Sequence, residues 1–144
     1  MSEQSTKTTG PQVVRVAVAV VEHAGQYLIG QRPAGTALAG LWEFPGGKRL
    51  PDESGAQAAE RETVEETGLQ VRAVGSHDVV THAYDHATVE VTFVACHPTI
   101  PLSEPRDPFR WVPVAELVNY EFPAANATLI RKLVDASAAQ KSPA

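Results

Sequence analysis

A short acidic helix bracketed by glycines, over residues 46–69, constrains this chain more than any other stretch. Gly46 and Gly47 open it, a polar loop follows, and Gly68 stands at the C′ position of a helix whose N-cap is Asp52 or Ser54. Within that helix Glu62, Glu65 and Glu66 stand at i, i+3 and i+4. At about 100° per residue they share one face, inside an arc of roughly 100°. Like charges at that spacing repel by about 0.2–0.5 kcal/mol per exposed pair, and by more where water is partly excluded. Three carboxylates gathered on one face are best explained if a cation belongs between them. The plain alternative is a solvated acidic face, and the glycines at both ends, with Glu53 in the loop, weigh against it.

The rest of the chain narrows the setting. A length of 144 residues suits one domain able to bury a core without metal or disulfide staples. Residues 12–139 are expected to form it, between a leader at 1–11 and a fraying tail at 140–144. The formal net charge of −5, with no basic run, argues against a dedicated binder of DNA or RNA backbones. Small anionic ligands remain compatible, because a metal reverses the local field. The single cysteine, Cys96, excludes an internal disulfide and a cysteine-rich zinc site. It ends an apolar strand and is expected to be buried and inert. No apolar h-region precedes residue 12, and the longest apolar run, residues 16–21, is too short to span a bilayer. A cytoplasmic protein without a membrane partner is expected.

Hydrophobic patterning supplies the elements. Residues 13–21 read as a buried valine-rich strand, with a turn at 22–25 and a second strand at 26–31 in hairpin. A small-residue loop follows at 36–41, then a short strand at 42–44. Residues 70–74 and 79–81 are strand-like, 88–96 alternate as a strand, 98–108 form a proline-rich loop, and 109–113 form a last strand. Residues 114–117 make one helical turn, and Ala127, Ile130, Leu133 and Val134 space a closing helix to about residue 137. Strands interleaved with two substantial helices imply an α/β fold with a mixed sheet between them. The five histidines (His23, His77, His82, His86 and His97) show no metal-binding spacing.

Read with gaps, the opening stretch is Gly47-x5-Glu53-x7-Arg61-Glu62-Thr63-x-Glu65-Glu66-x-Gly68-Leu69. It resembles the Nudix box, the signature of hydrolases that cleave nucleoside diphosphates linked to another group. Every position matches but one, where Thr63 replaces a bulky aliphatic while still offering a methyl to the core. The resemblance implies an α/β/α sandwich and a metal held by Glu62, Glu65, Glu66 and the Gly46 carbonyl. Magnesium is expected, with manganese possible, since a hard cation with oxygen ligands suits a polyphosphate substrate. Arg61 would orient the carboxylates, and Glu53 would support the loop and the ligand helix.

The likeness extends to Gln31-Arg32-Pro33, to Leu41-Trp42-Glu43-Phe44-Pro45-Gly46-Gly47-Lys48, to Trp111-Val112-Pro113-Val114 and to Phe122-Pro123-Ala124-Ala125-Asn126. These segments resemble MutT-type members, nucleoside triphosphate pyrophosphohydrolases that include enzymes removing oxidised guanine nucleotides from the precursor pool. Carried over by position, Asn126 would read the base edge, whose adjacent donor and acceptor an amide matches; the bland alternative is an N-cap or first-turn residue of the closing helix. Phe44 would pack on the base or serve as core. Arg32 would approach sugar or phosphate, Lys48 a phosphate, and Glu104 would act as a further metal ligand or base, or stay an exposed loop carboxylate. Oxidised dGTP is the first substrate expected and dCTP, CTP or another nucleotide the second. A non-catalytic nucleotide-binding regulator, monomer or homodimer like the enzyme, is the rival from another class. One departure bears on the base: the segment Tyr84-Asp85-His86-Ala87 lacks the arginine that closes over oxidised guanine in well-known relatives, leaving His86 or Tyr84 to substitute.

Overall fold

Alternation along one valine-rich strand sets the architecture. The computed structural model describes residues 12–83, 85, 87–101 and 103–141. The first strand, β1 (Gln12–His23), sends Ala17, Ala19 and Val21 to one face and Val20 to the other. Period-two side-chain placement thus feeds two separate cores. Strands β2 (Gln26–Gln31), β3 (Trp42–Glu43), β4 (Gly46–Lys48), β5 (Val71–Ala83), β6 (Ala87–Pro98) and β7 (Phe109–Pro113) complete a seven-stranded mixed sheet. Its main path runs β3-β2-β1-β6-β5, with β4 on β1 and β7 on β2. Only the β1–β6 pairing is parallel among the described pairs, in register from Gln12↔Ala87 to Val21↔Cys96.

The acidic helix α1 (Gly55–Thr67) lies on one face and the closing helix α2 (Ala127–Lys141) on the other. Under α1, Ala58 and Ala59 meet Ala17, Ala19, Val94 and Cys96, all buried. Small side chains on both sides let the helix approach the sheet closely, which decides how far its glutamates reach. Under α2, Leu129, Ile130 and Leu133 cover Val20, Phe93, Val112 and Phe44. The expected α/β class with helices packed on a mixed sheet is borne out.

Local signals account for most boundaries. Of the two candidate N-caps it is Ser54 that caps α1, in a capping box with Gln57 (Oγ to Gln57 N–H 3.0 Å, Gln57 Oε1 to Ser54 N–H 2.9 Å). Gly68 ends the helix in the left-handed region at φ 80°. Several expectations need correction. Residues 71–83 form one strand, not two, because bulges between Ala73 and Gly75 and between Ser76 and Val79 absorb the break in alternation. Residues 114–119 form a longer 3-10 helix than the single turn expected. The closing helix continues past residue 137 to Lys141, so its last turn replaces part of the expected frayed tail. Residues 46–48, to which the sequence pattern assigns no element, form strand β4 because they pair with Val16, Ala17 and Val18. The expected leader at 1–11 lies outside the described residues.

Candidate active site

The two glycines are required by contacts that sequence spacing could not show. Gly46 faces Val18 across the β1–β4 pair, where an added Cβ would stand 2.5 Å from the Ala17 carbonyl oxygen and 2.9 Å from Val18 Cα. A Cβ on Gly47 would meet the Glu62 carboxylate at 2.6 Å. The Glu62 head group therefore rests directly on the glycine backbone. Next to it, Glu66 accepts a long hydrogen bond from Gly46 N–H (3.4 Å) and is hydrogen-bonded to Glu62.

Burial shapes the electrostatics of this pair. The Glu66 carboxyl is pushed up to about 8, first by desolvation, then by its hydrogen bond with Glu62, against an opposing pull from Gly46 N–H, with the charges of Glu62 and Glu43 adding less. Two carboxylates this close hold a proton between them unless a cation replaces it. Arg61 anchors the other side. It forks onto Glu53 (Nε to Oε2 2.6 Å, Nη2 to Oε1 2.9 Å), reaches Glu62 (Nη1 to Oε2 3.0 Å) and donates to the Lys48 carbonyl (3.1 Å). That hydrogen bonding holds the Glu53 carboxyl down at about 2, helped by Leu50 N–H. In the same way it raises the Arg61 guanidinium above its ordinary value, chiefly through Glu53. Arg49 closes the loop by donating twice to the Glu53 carbonyl (3.2 and 2.9 Å).

This geometry meets known proteins at the level of the family. The family model of the NUDIX domain matches residues 16–132. The chain belongs to that family. Among curated relatives it is 46% identical over 71 residues, 49% of this chain and 51% of the relative, to the Escherichia coli CTP pyrophosphohydrolase. It is 29% identical over 127 residues, 86% of this chain and 93% of the relative, to the Haemophilus influenzae 8-oxo-dGTP diphosphatase. The chain spans about half the length of the first curated relatives it matches, 51% and 58%. Among solved structures, the E. coli ORF135 protein superposes with a TM-score of 0.72 at 29% identity, covering 92% of this chain and 96% of that one. The MutT protein of Methanosarcina mazei shares the fold, with a TM-score of 0.72 at 20% identity over 94% of this chain and all of the other.

Nudix hydrolases generally use a divalent metal, and the donor set of this Nudix domain fits one. Glu62 and Glu66 converge over a glycine backbone with a surplus negative charge that a hard cation would relieve. Among the described residues no three acidic, histidine or cysteine side chains converge, however. Glu65 accounts for this: it turns outward, its side chain 57% exposed, and takes the longest Arg61 contact (3.3 Å). The structure brings Glu62, Glu66, Arg61, Glu53 and Gly46 together and leaves Glu65 at the rim.

The remaining candidates fare unevenly. Phe44 is core, 3% exposed and stacked on Phe122 at 5.4 Å between ring centroids. Arg32 spends its guanidinium inside the fold, donating to the Ala37 carbonyl and Glu43 (2.7 Å each), and so ties down the loop at 33–41. Lys48 is exposed, and its backbone carbonyl is what Arg61 uses. Asn126 closes a 3-10 turn (Ala124–Asn126) that runs straight into α2. Its carboxamide makes no hydrogen bond among the described residues, so it caps nothing with its side chain, and its place is that of a residue in the first turn of the closing helical segment. Glu104 is exposed in the loop that docks against the end of α1. Tyr84 and His86 lie outside the described residues. Cys96 is fully buried with its thiol pushed up to about 12, matching the inert role expected. Thr63 is buried and returns its hydroxyl to the Ala59 carbonyl (2.7 Å), which explains how it fills an aliphatic position. Sequence reading missed Glu43, whose charge bears on Glu66, and Arg106, which contacts the helix end. Neither falls within the box.

Proposed function

We propose that this Nudix domain hydrolyses nucleoside triphosphates to the monophosphate and pyrophosphate with magnesium. The observation that carries the reading is the Glu62–Glu66 pair seated on Gly46 and Gly47, with Glu66 raised to about 8. Glu62, Glu66 and the Gly46 carbonyl would hold the ion, joined by Glu65 when it turns in from the rim. Magnesium, when bound, would neutralise phosphate charge and polarise the phosphoryl oxygens. In the reaction a water oxygen bonds to phosphorus and gives up a proton to solvent, the P–O bond bridging the α and β phosphorus atoms breaks, and the departing group takes the electron pair, leaving the monophosphate and pyrophosphate. Arg61 holds and aims Glu62, and Glu53 keeps Arg61 in place. Asn126 offers a donor and an acceptor to a base edge.

Oxidised dGTP is the first substrate of this reading, in keeping with relatives named 8-oxo-dGTP diphosphatase along nearly their whole length. A second reading, CTP or dCTP, is favoured by the 46% identity with a CTP pyrophosphohydrolase and by the missing arginine in residues 84–87. A panel of 8-oxo-dGTP, dGTP, CTP and dCTP with magnesium, assayed for pyrophosphate, separates them by kcat/KM. Binding without turnover on every nucleotide would instead mark a nucleotide-binding regulator.

A further inference from the structure

Helix α2 buries one stripe and presents another to an open groove. Leu129, Ile130 and Leu133 turn into the core, while Ala127, Arg131, Val134 and Asp135 line the groove between α2 and the 3-10 helix at residues 114–119. Positions i, i+4, i+7 and i+8 share one helix face. Opposite stand Leu117, Val118, Tyr120 and Phe122, and the space enclosed is about 380 Å3. Leu117 is buried, whereas its neighbour Val118 is 64% exposed, an apolar side chain that its own fold does not cover. Tyr120 packs edge-on against Trp42 with 4.7 Å between ring centroids, and the Arg110 guanidinium stands 5.1 Å from the centroid of the same indole. Tyrosine, tryptophan and arginine around an apolar groove are the side chains that concentrate at protein interfaces.

The two charges lining this groove are opposite. Arg131 and Asp135 are exposed and one turn apart, and neither makes an ion pair or hydrogen bond among the described residues. Lys132, the next residue along, is instead held by Asp78 on β5. A basic rim would suit an anionic membrane or a nucleic-acid backbone; one cation and one anion at fixed spacing suit neither. The matching surface must offer an anion to Arg131, a cation to Asp135 and an apolar side chain to the groove. This chain's own face offers all three when a two-fold axis turns it over, because such a contact brings residue i to j and j to i. With two α2 helices antiparallel and crossing at the height of Leu133, Arg131 of each copy meets Asp135 of the other.

We propose that this face is a homodimer interface: two copies associate about a two-fold axis, α2 against α2, with two Arg131–Asp135 ion pairs between them and Val118 of each copy packed in the apolar groove of the other. Helix α1 and its carboxylates lie on the opposite face of the sheet, so association leaves them uncovered.

Sedimentation velocity on the full chain, from about 1 µM to about 1 mM, tests this. The variants are Arg131→Glu, Asp135→Arg, the double exchange and Val118→Asp, with thermal melts as the check on folding. The wild type should pass from monomer to dimer within that range, and added salt should weaken the association. Each single reversal turns both symmetry-related pairs from attraction to repulsion, so the association constant should fall by about 10- to 100-fold. Mixing the two single variants should recover association as a heterodimer, because each supplies the charge that the other lacks, and the double exchange should recover self-association. Val118→Asp should weaken association in a chain that melts near the wild-type temperature, since the side chain is exposed in the monomer. A wild type that stays monomeric up to about 1 mM would overturn the proposal and leave the groove to a different occupant. Single reversals, or a folded Val118→Asp, that dimerise as the wild type does would overturn it by placing the interface on another face. A mixture of the two folded single variants that stays monomeric would also overturn it, by showing that the charges do not pair between copies.

Discussion

At the scale of single residues, the behaviour of Glu66 is the sharpest consequence of this geometry. Its carboxyl stands at about 8, against an ordinary value of 4.5, because burial and Glu62 both disfavour its charge. The folded chain then holds a proton that the unfolded chain has released, so without a divalent cation stability falls as pH rises from about 4.5 to about 8. Melting temperatures with chelator at pH 5, 6.5 and 8 should decline, and millimolar Mg2+ or Mn2+ should remove the decline. A Glu66→Gln variant should flatten that pH dependence while losing turnover by about 100-fold or more, beyond the 10- to 100-fold typical of supporting residues. Near-normal turnover in that variant would mean the ion sits elsewhere. Glu53 works in the opposite direction. Its carboxyl is lowered from 4.5 to about 2, so its stabilisation is complete above pH 4.5 and disappears as pH falls through 2. Glu53→Gln should therefore make acid unfolding less steep in that window, as followed by circular dichroism.

At the scale of elements, α1 and β4 act as one unit. The capping box at Ser54 should contribute about 1 kcal/mol. Ser54→Ala is accordingly expected to lower the melting temperature by about 2–4 °C in a chain of this size, with turnover per folded molecule unchanged. Gly47→Ala should do the reverse: a methyl 2.6 Å from the Glu62 carboxylate displaces the head group, while β4 keeps its pairing. Metal titration of that variant should show weakened affinity in a protein that melts near the wild-type temperature. An unchanged affinity would show that Glu62 does not need its seat on the glycine. The unexpected length of β5 also belongs to this scale. Alternation was interrupted at residues 75–78, and only pairing to β6, with its bulges, reveals that the strand continues.

At the scale of the whole molecule, two cores on opposite faces of one sheet hold the site in place. Phe93 is fully buried in the core under α2, on the face away from the carboxylates. Phe93→Ala should cost about 3–5 kcal/mol by cavity formation, read by urea unfolding, and should act on stability before it acts on metal affinity. An equal loss of affinity at low temperature, with the fold intact, would show that the two faces are more tightly coupled than the separate cores indicate.

The sequence alone determines what is encoded locally. The strand pattern of β1, the capped helix with its glycine stop, and the carboxylate set with Arg61 and Glu53 all follow from near neighbours and short-range spacing. From those alone the family and the mixed α/β sheet were legible. What only the tertiary structure decides is what depends on segments far apart in the chain. Helical spacing places Glu62, Glu65 and Glu66 on one face, but Gly47 and Arg61 seat Glu62, Gly46 N–H and Glu62 seat Glu66, and Glu65 stays at the rim. The same holds for Phe44, which the core claims, for Arg32, which a loop claims, and for Arg106, which crosses 41 residues to the end of α1. The physical reason is common to all of them. A side chain's final partners are set by which backbones the sheet brings within a few ångströms, and that is a property of the packed molecule.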